Sequence, residues 1–306
     1  MTPPADRILA PDALRALQTR SNARGAIRLA LHLTALIAAG FWVATATPWT
    51  LLPAILTLGL VQAALFAPHH ETMHQTAFAS RRANAIVGWL ASAPSLLNAQ
   101  FYAAFHLAHH RHTQIPGRDP ELLTPSPATP RDYLIRVLGI PFWRARGRLV
   151  LRAWRNDLSE YSFIPPTAAP AIIRSVRAQS ALMLAAALLA AALVDWKTPF
   201  KFWILPQLLG TPFLVAYLLA EHTGCTQDRN GLTNTRTTLT NALVRALMWN
   251  MPFHAEHHLY PSIPFHRLPA AHRAIRARLG VIQPGYIGWN RGFLRALARG
   301  RPPQAT

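Results

Sequence analysis

Charged residues are absent from long stretches of this sequence. The longest stretch, residues 29–70, contains 42 residues without Asp, Glu, Lys or Arg. One transmembrane helix needs about 20 apolar residues, so this stretch is long enough for two. A second pair of uncharged segments, residues 178–194 and 202–220, flanks a short polar turn at residues 195–201. The sequence therefore predicts an all-α integral membrane protein with four transmembrane helices in two hairpins.

The positive charge follows the same division of the chain. A formal net charge of +19 would by itself also fit a nucleic-acid-binding protein. However, both lysines, Lys197 and Lys201, lie in the turn between the third and fourth predicted spans, and all 29 arginines lie elsewhere. With four spans, the three arginine-bearing regions share one side of the membrane, and this bias marks the cytoplasmic side. We therefore predict a multi-pass protein of the inner or cell membrane with cytoplasmic termini and no nucleic-acid partner.

The four spans divide the chain into segments of one predicted domain, residues 1–306. No signal peptide is expected, because the first 24 residues are polar and basic. The single cysteine, Cys225, excludes an intramolecular disulfide and a cysteine-based metal site. The predicted segments are a cytoplasmic N-terminal segment (1–26), the first hairpin (27–68), a cytoplasmic and interfacial region (69–172), the second hairpin (173–220) and a cytoplasmic C-terminal region (221–306).

Most of the 14 histidines are grouped in three short motifs. Residues three and four positions apart lie on one face of a helix, so histidines with this spacing direct several imidazoles at one ion. Neutral imidazole nitrogen suits Zn, Cu, Fe and Ni. The histidines with this spacing are His70 and His74; His106, His109 and His110; and His254, His257 and His258. These eight ligands exceed what one ion uses, so the pattern predicts two metal ions close together in a cytoplasmic, histidine-rich helical cap.

Two other interpretations of the histidines remain open at this point. Residues 70–74 read His-Glu-Thr-Met-His, the H-E-x-x-H pattern of zinc proteases with Glu71 as general base. A membrane zinc metalloprotease is therefore a competing hypothesis, although one zinc would leave five or more grouped histidines unused. A metal-binding membrane protein without redox turnover is the other. The histidines expected to lie outside the metal site are His32, His112, His266 and His272.

In the order HxxxH, HxxHH, HxxHH, the motifs resemble the three histidine boxes of the membrane fatty-acid desaturase and hydroxylase superfamily. The resemblance extends over roughly residues 68–268, and residues 249–261 are similar to the third box of bacterial members. It implies a di-iron centre, O2 as co-substrate and a fatty acyl or related lipid substrate. It also implies His222, at the end of the fourth span, as a further ligand. His69 precedes His70, which leaves open whether His69 replaces His70 in the ligand set.

The resemblance favours desaturation, with lipid or carotenoid hydroxylation or ketolation as alternatives of the same superfamily. Removal of the first hydrogen is common to these outcomes. An unactivated methylene has no acidic proton, so the metal must supply the chemistry while the protein supplies position and a dry pocket. We expect no fused cytochrome b5-like domain, and the resemblance then implies a separate electron donor that is ferredoxin-, rubredoxin- or cytochrome b5-like.

Carboxylates often hold the second ring N–H of metal-binding histidines. The candidates close to the motifs are Glu71, Asp119, Glu121, Glu221 and Glu256; neutralisation of nearby arginines is the alternative role. Residues 83–110 are also uncharged, but a crossing there would put the first two motifs on opposite membrane faces. We therefore expect interfacial helices in this segment and at residues 131–155, which are rich in Arg and Trp. Residues 234–238 are expected to cap a helix, with contact to a substrate headgroup as the alternative.

Overall fold

The computed structural model describes residues 8–300 and is mostly helical. Residues 1–7 and 301–306, which begin the predicted N-terminal segment and end the C-terminal region, lie outside the described residues. The α-helices are α1 (Pro11–Leu17), α2 (Asn22–Thr45), α3 (Leu51–Ala63), α4 (Phe66–Met73), α5 (Arg81–Ser92), α6 (Ala99–His112), α7 (Pro130–Val137), α8 (Ile140–Trp154), α9 (Ala169–Leu193), α10 (Leu205–His222), α11 (Ala242–Leu247), α12 (His254–Leu259), α13 (Leu268–Ile275) and α14 (Tyr286–Ala298).

Four helical segments are long and apolar enough to cross a membrane, as predicted. They are Asn22–Thr45, Leu51–Met73, Ala169–Leu193 and Phe200–His222. The second comprises α3 and α4, and the fourth begins with a π-helical turn, Phe200–Ile204, that continues into α10. The number of spans is therefore confirmed; the boundaries of the predicted segments and the two-hairpin arrangement stay predictions.

The first pair of spans is joined by a buried hydrogen bond. His32, in the middle of α2, donates from Nε2 to the Val61 carbonyl of α3 at 3.0 Å, which gives this histidine the structural role expected for it. On its other side α3 packs closely against α10, where Gly59 and Gly210 allow the two backbones to meet. The third span, α9, packs mainly against α8 and α6. The helices that carry the histidine motifs are thus held on a bundle built around α3 and α10.

The uncharged segment 83–110 is not one continuous helix. A short 3₁₀-helix, Ala93–Ser95, follows α5, and Leu96 then adopts a left-handed conformation with φ of 53°. Asn98 then caps the N-terminus of α6, because its side chain accepts hydrogen bonds from the main-chain N–H groups of Gln100 and Phe101. The segment therefore turns before reaching the length of a span, as predicted, and its position at the membrane interface stays a prediction.

The fold departs from the all-α expectation by one small parallel sheet. Strand β1 (Thr237–Leu239) pairs with β2 (Ile282–Pro284), with Thr237 opposite Ile282. The preceding residues also cap α10 as predicted, because Arg236 donates its main-chain N–H to the Glu221 carbonyl at 2.9 Å. The extended segment is buried, and its polar main-chain groups require such partners. Threonine-rich sequence favours this extended form over helix.

Candidate metal centre

Five imidazoles from the three motifs converge at one point. They are brought together by α4 and its C-terminus, by α6 and by α12, and we call them the first histidine cluster: His70, His74, His106, His110 and His257. One nitrogen from each ring lies within 4.8 Å of those of the other four. Nε2 of His106 lies 2.8 Å from Nε2 of His74 and 3.1 Å from Nε2 of His110.

A second group of imidazoles lies directly beside the first. We call it the second histidine cluster: His109, His222, His254 and His258. Ring nitrogens of His109, His222 and His258 lie within 4.8 Å of one another, and Nε2 of His254 lies 3.1 Å from Nε2 of His222. The two clusters are in contact, because the His110 and His258 rings stack with their centres 4.1 Å apart. The structure thus brings all nine predicted site histidines together.

Helical periodicity explains how each HxxHH motif serves both clusters. In α6, His106 and His110 are four residues apart and face the first cluster, whereas the adjacent His109 faces the second. In α12, His257 reaches the first cluster and His258 the second. Two adjacent histidines on one turn therefore point in different directions, which a paired centre needs and a single-ion site does not.

Burial keeps most of the imidazoles uncharged. It lowers the pKa of His74 to about 3. Burial, reinforced by neighbouring imidazoles, also lowers the pKa of His106 and His257 well below the usual range. Burial by itself would also lower the pKa of His109. The nearby carboxylates of Glu121 and Asp119 outweigh this effect, so the pKa of His109 is raised. Neutral rings are the form in which histidine binds a metal ion.

The unpaired nitrogens of the clusters fit metal ions. Among the described residues, both ring nitrogens of His70, Nδ1 of His257 and Nε2 of His258 are buried without a hydrogen-bond partner. A neutral imidazole has one donor and one acceptor, so five converging nitrogens cannot satisfy one another. Burying them unpaired is costly. A nitrogen-only set of this kind suits Fe, Zn, Cu or Ni.

Hydrogen bonds from outside the clusters fix the orientation of the rings. Nδ1 of His109 donates to the Asp119 carboxylate at 2.9 and 3.1 Å, which leaves Nε2 free for an ion. Asp119 is itself held by the main-chain N–H groups of Gln114 and Glu121, at 2.8 and 2.9 Å. His222 donates from Nδ1 to the Asn234 carbonyl at 3.1 Å. The expectation for Asp119 as an orienting carboxylate is confirmed.

The remaining carboxylate candidates divide into two groups. Glu121 and Glu221 approach the second cluster, with Glu121 Oε2 3.4 Å from His109 Nδ1 and Glu221 Oε1 3.4 Å from His254 Nδ1. The expectation was wrong for the other two. Glu256 is bonded to His272 and Thr237, which lie outside the clusters.

Oε1 of Glu71 accepts a hydrogen bond from the Phe265 main-chain N–H at 2.9 Å. Glu71 is not part of the first histidine cluster, which contains His70 and His74. The glutamate of the zinc-protease pattern is thus engaged by the main chain rather than grouped with the two histidines.

The structure also distinguishes the two adjacent histidines at the end of the second span. Nδ1 of His69 donates to the Gly88 carbonyl of α5 at 3.2 Å, and its ring packs on Tyr102. His70, on the opposite side of the turn, faces the first cluster. The sequence could not separate these residues, because the choice depends on where α5 and α6 pack.

Tyr102 is a site residue that the motifs did not reveal. Its ring stacks on His106 with centres 5.0 Å apart, and its hydroxyl lies 3.4 Å from Nδ1 of His106. The only signal in the sequence is its spacing, one helical turn before His106. A tyrosine at that position is also common in ordinary helix packing.

A cavity of about 1580 Å³ opens onto both clusters. Its wall includes His70 and His106 of the first cluster and His222 and His254 of the second. The Phe and Tyr residues along it are Phe66, Phe101, Tyr102, Phe105, Phe142, Tyr161, Phe163 and Phe293. Four arginines of α7 and α8 also line it: Arg136, Arg144, Arg146 and Arg148. The cavity is thus mainly apolar beside the histidines and carries positive charge on the α7 and α8 side.

Comparisons with known proteins agree with this architecture. Residues 46–289 match the family described as Fatty acid desaturase. The chain is 27% identical to the dihydrorhizobitoxine desaturase of Bradyrhizobium elkanii over 93% of this chain and 84% of that protein. It is 24% identical to the chloroplastic omega-6 fatty acid desaturase of Glycine max over 79% of this chain and 60% of that protein.

The family match covers most of the chain, and the three histidine motifs lie within the matched residues. The chain therefore belongs to the fatty acid desaturase family. It is an integral membrane oxidoreductase of desaturase-like function, and its histidine clusters are able to bind metal.

Proposed function

We propose that the protein is an O2-dependent di-iron desaturase that introduces a double bond into a fatty acyl or related lipid chain. The observation that carries this proposal is the pair of adjacent histidine clusters at the wall of one large apolar cavity. Both relatives are named as desaturases, which favours desaturation over the hydroxylation or ketolation of lipids or carotenoids.

Nine histidines would hold two iron ions: the five of the first cluster and the four of the second. The iron pair would supply the C–H cleavage, with O2 as oxidant, that acid–base side chains cannot perform. Asp119 keeps the ring of His109 in one tautomer and orientation, and the Asn234 carbonyl does the same for His222. Because these two rings are already ordered, less conformational entropy is lost when a metal ion binds.

The cavity would position the chain to be desaturated and exclude water from it. Phe66 and Phe105 form part of its apolar wall next to His70 and His106. An apolar chain gains free energy by leaving water for such a wall, at about 25 cal/mol per Å² of buried surface. This attraction is not directional, so the shape of the wall selects the carbon that faces the clusters.

The termini, the clusters and the cavity entrance would lie on the cytoplasmic side. All 29 arginines lie before the first span, between the second and third spans, or after the fourth, and this distribution supports the orientation. A separate ferredoxin-, rubredoxin- or cytochrome b5-like protein would deliver electrons from that side.

Mass spectrometry of lipids and small molecules from cells that express the chain tests the function directly. Desaturation removes two hydrogens from the substrate, whereas hydroxylation adds one oxygen. We expect about two iron atoms per purified chain, and loss of the new product in His106→Ala and His257→Ala variants. The control is His112→Ala, because His112 belongs to neither cluster. Zinc with peptide cleavage, or unchanged product in His106→Ala, would contradict the proposal.

A further inference from the structure

Arg146 of α8 is an unpaired cation in the wall of the cavity. Its Nη1 donates to the Phe142 carbonyl at 3.0 Å, and its guanidinium lies over the Phe142 ring. Within residues 8–300, its Nε is buried without a hydrogen-bond partner, and no carboxylate lies within the 4.0 Å of an ion pair. A cation removed from water without an anion costs free energy, so this position calls for a negative group.

The other arginines of the cavity wall do not share this property. Arg148 lies 3.7 Å from the Glu160 carboxylate, and Arg144 is exposed to water. Burial lowers the pKa of Arg136, but the carboxylate of Glu121 acts in the opposite direction. In the part of the chain that the structure describes, no carboxylate acts on Arg146 in this way, and burial lowers its pKa to about 9, so it is still charged at neutral pH.

Arg146 lines the same cavity as Tyr102, which stacks on His106 of the first cluster. Arg146 further lines a small void of about 10 Å³ together with Gln207 of α10. The side-chain amide nitrogen of Gln207 is buried and has no partner among the described residues. The void has room for about one water molecule, so an anion would reach Arg146 from the large cavity, which Arg146 also lines.

We propose that Arg146 binds an anionic group of the substrate, and that the substrate is accordingly an apolar chain with a free carboxylate or phosphate rather than a neutral ester. The inference rests on the proposed function and names the substrate class of the same site. The guanidinium presents its N–H groups in a planar fork that matches two oxygens of such an anion.

The test measures equilibrium binding to the protein as purified, in neutral detergent and without an electron donor, so it does not depend on turnover. The probe is radiolabelled dodecanoate, with dodecyl phosphate and methyl dodecanoate as competitors. We expect methyl dodecanoate to compete much less well than unlabelled dodecanoate. If unlabelled dodecanoate competes better than dodecyl phosphate, the anionic group of the substrate is a carboxylate. If dodecyl phosphate competes better, it is a phosphate.

Variants of α8 assign the binding to one residue. Arg146→Met is expected to weaken dodecanoate binding by between about 10- and 100-fold, the loss of one charge-assisted hydrogen-bonding group. Arg146→Lys keeps the charge and should bind with intermediate affinity. Arg155→Met is the matched control, because Arg155 is exposed at the end of α8 and does not line the cavity. Melting temperatures of all variants show whether the fold is intact.

Two results would overturn the inference. One is competition by methyl dodecanoate that equals competition by dodecanoate. The other is normal dodecanoate binding in a folded Arg146→Met protein, especially if Arg144→Met loses it and so places the anion at the rim. Failure of the proposed function is visible separately: the intact protein would then bind dodecanoate through Arg146 while the iron-loaded protein forms no desaturated product from any chain.

Discussion

At the scale of single residues, the site depends on side chains that never touch the proposed metal ions. Asp119 is the clearest case, because it accepts a hydrogen bond from Nδ1 of His109 while Nε2 of that ring faces the second cluster. Asp119 in turn accepts two main-chain N–H groups from the loop after α6. The conformation of the loop after α6 therefore fixes the position of the Asp119 carboxylate, and this carboxylate fixes the orientation of the His109 ring.

Asp119→Asn is expected to weaken metal binding at the second cluster by about 10- to 100-fold, the usual effect of losing the carboxylate behind a histidine ligand. The neutral amide no longer favours the His109 tautomer with a proton on Nδ1. Iron content after dialysis against a chelator measures the effect. Asp12→Asn, an exposed position on α1, is the control and should retain its iron. Equal iron retention in the two variants would show that Asp119 does not support the site.

Stability of the metal-free protein is expected to fall as the pH is lowered through about 6.5, the pKa of histidine in an unfolded chain. Burial lowers the pKa of His74 to about 3 in the folded chain, and it lowers that of His106 and His257 strongly as well. The unfolded chain therefore binds more protons at acidic pH, whereas stability is fully present above about pH 7. Melting temperatures in detergent between pH 5 and pH 8 test this. His112→Asn should keep the dependence, and a flat profile in the parent protein would refute it.

At the scale of secondary-structure elements, the position of the clusters depends on the contact between α3 and α10. A Cβ on Gly210 would overlap the carbonyl oxygen of Gly59, and a Cβ on Gly59 would overlap that of Pro206. Small residues at such crossings let membrane helices approach closely. Because α4 continues from α3 with His70 and α10 ends at His222, this crossing sets the distance between two parts of the site.

Gly210→Ala is expected to destabilise the protein by about 1–3 kcal/mol, because the added methyl group must push two backbones apart. Thermal unfolding in detergent measures the loss, and reduced iron content should accompany it. Gly40→Ala on α2 is the control, since no atom of the described residues 8–300 lies within 4 Å of its added Cβ. If Gly210→Ala were as stable as Gly40→Ala, the close approach of α3 and α10 would not be required.

At the scale of the whole molecule, charge and hydrophobicity divide the chain between the membrane and its two faces. Exposed apolar side chains such as Ile37, Leu188 and Phe213 lie on the long helices, where lipid would cover them. The histidine-bearing ends of α4 and α10 meet α6 and α12, which places the clusters at one end of the bundle.

The proposed orientation predicts which turns face the outside. In a Cys225→Ser background, Thr47→Cys in the first turn should react with a membrane-impermeant maleimide in intact cells. Ala128→Cys, in the loop before α7, should react only after permeabilisation. Both positions are exposed, so a difference in labelling reports the side of the membrane rather than burial. Labelling of Ala128→Cys in intact cells would reverse or refute the topology.

Much of the candidate site could be predicted because its signals are local. The spacing of His106, His109 and His110 requires only the geometry of one helix, and the uncharged segments require only the thickness of a bilayer. The orienting groups depend on contacts between distant segments. Glu256 lies within the third motif but bonds His272, whereas Asp119 lies ten residues after His109 and bonds it. Sequence proximity therefore included Asp119 among the candidates but could not separate it from Glu71 and Glu256, which bond elsewhere.

The sequence by itself determined the four candidate spans and eight of the nine histidines brought together in the structure, because helix periodicity and bilayer thickness act over a few neighbouring residues; His222 came from the family resemblance. Only the tertiary structure decided which histidines share a cluster, that His70 rather than His69 faces the first one, and that Arg146 lines the cavity without a carboxylate partner among residues 8–300. These outcomes depend on how α3, α6, α8, α10 and α12 pack. Packing is set by contacts across the whole chain, which no local pattern records.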